Sequence, residues 1–284
     1  LLVKTFAITG ATGTQGGTLA HLLLDRGHPV RALTRSVDAP AAQALKARGA
    51  EIAYADFADP ASLTTAFQGV DSVFLMTTPF GTDVETEIRH GSATIDAAAR
   101  AGVGHIVFSS VAHADRATGV PHFDSKYAVE RHLVASGLDW TILGPAKFMD
   151  NFTTGYAARM LAAGDFALPL AADRSIALIC AADIAGLAAL ALTEPERLSG
   201  KRIDIAGEET TPLRMAEAFT AAVGHEVTFQ ATPAEQSRAW GEDLYKMFRY
   251  FDTVGLDVDV TALRREYPEV GWHTFADWLA TRTW

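Results

Sequence analysis

The stretch VKTFAITGATGTQGGTLAHLLLDRG, residues 3–27, decides the fold. Residues 3–9 are apolar and rich in β-formers, and 10–17 form a glycine-rich turn. Residues 18–26 put Leu19, Leu22 and Leu23 on one side of a helix that Gly27 stops. Gly10, Gly13 and Gly16 have the spacing GxxGxxG. Between a strand and a helix, such a turn lets the backbone approach a pyrophosphate, and the helix start offers unpaired N–H groups and a positive dipole end. The context reads as a dinucleotide-binding loop, with Gly10, Thr12, Gly13, Thr14, Gln15 and Gly16 as contact residues. A purely structural turn is the alternative.

Working outward, strand–helix units repeat. Strands are expected at 29–35, 51–56, 71–78, 105–111 and 139–143, with helices at 39–48, 60–67, 86–101 and 122–136. The strands are continuous apolar runs rather than alternating ones, which suits a parallel sheet covered on both faces. Right-handed crossovers then give an α/β, Rossmann-type doubly wound sheet, with its ligand crevice at the carboxyl ends of the strands. After Pro145 the alternation stops. Helices are expected at 152–163, 183–192, 213–223 and 234–251, and strands at 166–170, 175–179, 202–206 and 226–230. No linker separates the parts, so the expectation is a dinucleotide-binding domain over 1–150 and a smaller α+β lobe over 151–284 packed on it.

Composition narrows the class. The chain has 284 residues, 49% apolar and 20% charged, enough for a sizeable core and too few charges for disorder. The net charge of −10 repels phosphate backbones, which argues against nucleic acid as a direct partner. No run of 18 apolar residues exists, so no membrane span is expected, and residues 1–8 are too short and wrongly built for a signal peptide. Cys180 is the single cysteine, which excludes an intramolecular disulfide, argues against a zinc site and points to the cytoplasm. His21, His28, His90, His105 and His113 show no metal-ligand spacing, and no metal is expected. Glu85-Thr86-Glu87 reads as solvated charge. The chain is expected to be a monomer or homodimer acting on a small molecule.

The end of the second strand discriminates between coenzymes. An NAD-selective site places an acid there, roughly 20 residues past the glycines. Here Arg35 stands nineteen residues after Gly16, and a guanidinium suits a 2′-phosphate, so NADP(H) is expected. Arg31, four residues back, is the alternative. Asp56 is placed to accept from the adenine amino group and Phe57 to lie on its edge, unless both serve only a turn. Thr77, Thr78 and Pro79 follow the fourth strand, beside the nicotinamide ribose.

The segments GATGTQGG (10–17), TRS (34–36), ADFADPASL (55–63), HIVFSSV (105–111), PHFDSKYAVERHL (121–133) and WTILGPAKFMDNF (140–152) resemble the NmrA-like family, an atypical branch of the short-chain dehydrogenase/reductase superfamily. Residues 181–185 and 275–279 fit that family's C-terminal part. The resemblance implies the fold, NADP(H), and one of two functions. One is NADPH-dependent reduction of a small conjugated acceptor of quinone, dye or phenolic type. The other is non-catalytic redox sensing with a regulatory protein partner.

The superfamily's usual chemistry needs a serine and a YxxxK pair. Here Lys126 takes the lysine place, His122 replaces the tyrosine, and Ser109 or Ser110 follows the fifth strand. A histidine, with an unperturbed pKa near 6.5, can donate a proton at neutral pH; a helix cap or space-filler is the other reading of His122. The resemblance makes Lys126 a candidate for both ribose contact and acid/base work. After the sixth strand, Pro145 and Phe148 are expected beside the nicotinamide. Phe148, Met149 and Phe152 are expected to wall a flat substrate, with Asn151 and Tyr156 as polar handles; plain packing is the alternative. A sugar-nucleotide epimerase is disfavoured, since that chemistry relies on the missing tyrosine.

Overall fold

The computed structural model describes residues 4–153 and 155–284 and, within the helix that follows, not the side chain of Tyr156. Among the described residues, twelve strands run in chain order: β1 Phe6–Ile8, β2 Val30–Thr34, β3 Glu51–Tyr54, β4 Ser72–Met76, β5 His105–Ser109, β6 Asp139–Pro145, β7 Lys147–Phe148, β8 Asp165–Leu168, β9 Ile176–Ile179, β10 Lys201–Ile205, β11 Glu208–Thr210 and β12 Thr228–Ala231. Seven form one sheet in the order β10-β6-β5-β4-β1-β2-β3, every pair parallel. Its strand order reverses between β1 and β4, where the carboxyl ends splay into a crevice.

The continuous apolar runs are explained by burial on both faces. Along β1, Phe6 and Ile8 join one core while Ala7 joins the other; Phe74 and its neighbours Val73 and Leu75 on β4 divide the same way. The helices α1 Thr14–Asp25, α2 Pro40–Ala47, α3 Pro60–Ala66, α4 Val84–Arg100 and α5 Pro121–Ala135 connect the strands. Helix α1 packs along the Ala/Leu-rich helix Ala181–Thr193 on one face, and α4 along α5 on the other. Residues of α1, β8, β9 and that Ala/Leu helix share one continuous hydrophobic core.

Three expectations shift. First, the boundary at residue 150 is not where the sheet ends: β10 comes from the later half and pairs with β6 from Lys201↔Thr141 to Ile205↔Pro145. Second, the single helix expected at 234–251 is a 3-10 turn, Ala234–Trp240, followed by the helix Glu242–Thr253, because Gly241 takes a φ of 114° that breaks the run. Third, the helix expected at 152–163 is a 3-10 turn, Met149–Thr153, followed by a helix, Gly155–Ala162, starting at a positive φ. Small sheets, β11-β9-β7 and β12-β8, complete the later half. Among the described residues no helix is long and apolar enough to cross a membrane.

Candidate active site

The glycine loop ends in α1, which begins at Thr14, four residues earlier than its leucine pattern suggests. Gly13 is its N-cap and no side chain caps it, so the first amides of α1 have no internal acceptor. Gly10 turns the chain at a φ of 60°. Gly16 is fixed by close approach: a Cβ there would lie 2.4 Å from the Gly10 carbonyl oxygen and 2.6 Å from that of Thr9. The loop is also tied to the sheet, since the Ser109 hydroxyl donates to Gln15 Oε1 at 2.7 Å. Thr12, Gly13 and Thr14 are exposed.

Near the start of β2, Arg31 is committed to structure. It donates to Glu51 at 2.8 Å and to the carbonyls of Ala66 and Gln68 at 2.9 and 2.7 Å. Arg35, one residue beyond the strand, is exposed and has no ion-pair partner among the described residues. Asp56 turns its carboxylate back onto the amide of Ala58 at 2.9 Å, and Phe57 is half-buried with its ring 6.1 Å from that of His90.

Beyond the β1–β4 crevice the structure opens a cleft of about 660 Å³. Gln15, Thr77, Thr78, Pro79, Ser109 and Pro145 line its sheet side. Lys126, His122, Phe148 and Asn151 also face it. Met149 and Phe152 do not. Met149 is fully buried, and Phe152 packs edge-to-face with Phe166, Phe219 and Phe275, with centroids 5.7–5.9 Å apart. Their place in the wall is taken by the far end of the chain. Trp240, Leu244, Met247, Phe248 and Phe251, from the stretch expected only as a helix over 234–251, form a roof. The Tyr156 side chain lies outside the described residues.

Lys126 sits on the cleft floor, and its ammonium donates to the Thr77 carbonyl at 2.6 Å, the Thr77 hydroxyl at 3.1 Å and Glu87 Oε1 at 2.8 Å. Burial pushes its pKa below the usual lysine range, and the Glu87 carboxylate opposes that fall. Glu87 is therefore not solvated charge, as the sequence suggested, but is 1% exposed and also accepts from Ser125 at 2.5 Å. A signal was present: Glu87, Gly91, Thr94, Ile95 and Ala98 share one buried helical stripe.

His122 reaches the opposite half. Its Nδ1 lies 2.5 Å from Oδ1 of Asp243, at the start of the roof helix. A carboxylate there favours a proton on Nδ1, and Nε2 has no partner among the described residues. The two serines divide. Ser109 is bonded to Gln15, whereas Ser110 donates to the buried Glu130, which pairs with Arg202 at 2.9 Å. Burial raises the Glu130 pKa, and Arg202 opposes the rise. Away from the cleft, Asp183 accepts from the His273 ring at 2.6 Å beside Cys180, whose thiol burial pushes up to about 12.

Comparison with known proteins agrees with this architecture. The model of the NmrA-like family matches residues 3–279. The NAD(P)H azoreductase of Xenophilus azovorans is 33% identical over 232 residues, covering 81% of this chain and 78% of its own. Quinone oxidoreductase 2 of Escherichia coli (strain K12) is 33% identical over 226 residues, 79% and 76% of the two chains. The solved NADPH-dependent quinone oxidoreductase of Escherichia coli complexed with NADPH superposes with a TM-score of 0.81 at 28% identity, over 97% of this chain and 98% of that one. NmrA, a negative transcriptional regulator solved in complex with NAD, shares the fold with a TM-score of 0.84 at 21% identity, over 99% and 95%. Matched by the family model over nearly its whole length, this chain belongs to the NmrA-like family.

Proposed function

We propose that the protein is an NADPH-dependent reductase of a small, flat, conjugated acceptor of quinone or azo type. The observation that carries this reading is the apolar cleft of about 660 Å³ opening directly beside the glycine loop. The residues present suit the dinucleotide. The uncapped start of α1 and the contact-limited Gly16 leave room and donors for a diphosphate. Arg35 is free to take the 2′-phosphate, while Arg31 is occupied. Asp56 and Phe57 border the adenine side, and Thr77, Thr78, Pro79 and Lys126 the nicotinamide ribose. When bound, NADPH supplies a hydride. Two relatives named for azo-dye and quinone reduction support the acceptor class.

The chain's own contribution is to orient and to move a proton. All three ammonium donors of Lys126 are used inside the protein, so its role is to hold Thr77 in place beside the nicotinamide ribose. His122 would act as proton donor in its imidazolium form, giving the Nε2 proton to the reduced acceptor while Asp243 holds the Nδ1 proton, and the neutral ring would be reprotonated from solvent. Phe148 and the roof aromatics exclude water. The test follows NADPH absorbance with the purified protein and menadione or an azo dye. Saturable oxidation that falls at least about tenfold in His122→Gln supports the reading. Tight NADP(H) binding with no turnover would favour a redox sensor instead, and absence of binding heat with either coenzyme would overturn both.

A further inference from the structure

Two of the cleft's basic side chains face carboxylates: Lys126 faces Glu87, and His122 faces Asp243. A third does not. Lys147, on β7, lines the cleft with its ammonium 5.3 Å from the centroid of Phe248 and 5.6 Å from that of Phe152. Among the described residues no carboxylate lies within ion-pair reach of it, and no Asp or Glu lines the cleft. Burial lowers its pKa to about 8, so it remains mostly charged at pH 7. An ammonium set among rings without an anion is an unfavourable arrangement that an entering anion relieves.

We propose that Lys147 anchors an anionic substituent, a sulfonate or carboxylate, on the aromatic acceptor, so that the cleft selects anionic acceptors over neutral ones of the same shape. The ring system lies against Phe148 and the roof, with its charged edge directed to Lys147. This inference rests on the reductase reading for the identity of the occupant as an acceptor, but binding can be measured without turnover.

The probes are methyl orange, an azobenzene sulfonate, and its primary sulfonamide counterpart, which has the same shape and no charge at pH 7. Each is titrated into NADP⁺-loaded protein by calorimetry, and each is separately offered with NADPH. A charge-assisted contact in a cleft this apolar gives the sulfonate an affinity advantage of about 10- to 100-fold. Lys147→Met should reduce that ratio to about 1, and Lys147→Arg should keep most of it. Equal affinities in the wild-type protein, binding of neither dye, or an unchanged ratio in Lys147→Met would each overturn the proposal. Should Lys147→Met lose NADPH binding through misfolding, Lys147→Gln and the wild-type ratio carry the same test. Dyes bound with the charge preference but never reduced would support the anchor and refute the reductase. Dyes reduced without preference would do the reverse.

Discussion

Replacing Lys147 with methionine should make the protein more stable at neutral pH. The ammonium's fall from 10.5 to about 8 is caused by burial and measures what the folded state loses by keeping it charged. At 1.36 kcal/mol per tenfold, that is about 3 kcal/mol. The rings of Phe152 and Phe248 return part of it, about 0.5–1 kcal/mol each. Methionine fills the same volume and keeps contact with both rings, so the net gain expected at pH 7 is about 2 kcal/mol. The sign with pH follows from the folded value lying below the unfolded one. Between about 8 and 10.5 the unfolded chain holds the proton that the folded chain has released, so wild-type stability rises with pH across that window. The advantage of Lys147→Met is therefore full below pH 8 and disappears near pH 10.5. Urea melts of both proteins at pH 7 and pH 10, without coenzyme, measure it. A variant less stable than wild type at pH 7, or an advantage undiminished at pH 10, would refute the reasoning.

Gly16→Ala should weaken NADPH binding on the order of 100-fold by calorimetry, because the added methyl forces the first turn of α1 away from the Gly10 carbonyl. Arg35→Asp should lower the preference for NADPH over NADH by roughly 100-fold in kcat/KM, through loss of a charge-assisted contact and gain of a repulsive one. Asp243→Asn should reduce kcat about tenfold while leaving the NADPH Kd unchanged, and should move the acidic limb of the pH–rate profile, since it alters the group that fixes the His122 ring.

The parts of the site that lie close in sequence were legible. The glycine turn and the arginine after β2 sit in local contexts whose geometry is set by neighbouring residues, and the doubly buried strands declare themselves as unbroken apolar runs. The parts assembled over long separations were not. Asp243 meets His122 across 121 residues, and nothing near either residue signals the other. Trp240, Leu244, Met247 and Phe251 have helical spacing within the stretch expected as a helix, and a face that covers a cleft has the same pattern as one that covers a core. Met149 and Phe152 failed for the converse reason: in a stretch this apolar, the residues that turn inward to the phenylalanine cluster cannot be told from those left at the cleft. Lys147 carries no pattern at all, since its distinction is the lack of a partner in three dimensions. The strand β10 was expected as a strand, but its membership of the main sheet depends on a β6 edge that only the assembled fold exposes.

That strand bears on how such a protein can be remodelled. A fragment stopped near residue 150 would present the ladder of β6 unpaired and strip α1 of the Ala/Leu helix that covers it, leaving a sticky edge beside an oily patch. Coenzyme recognition and acceptor choice are consequently not separable by scission. New acceptor tastes are better sought by exchanging the roof side chains of Trp240, Leu244, Met247 and Phe248 with Asp243 retained, since these touch the cleft from above while the seven-stranded frame beneath stays sealed.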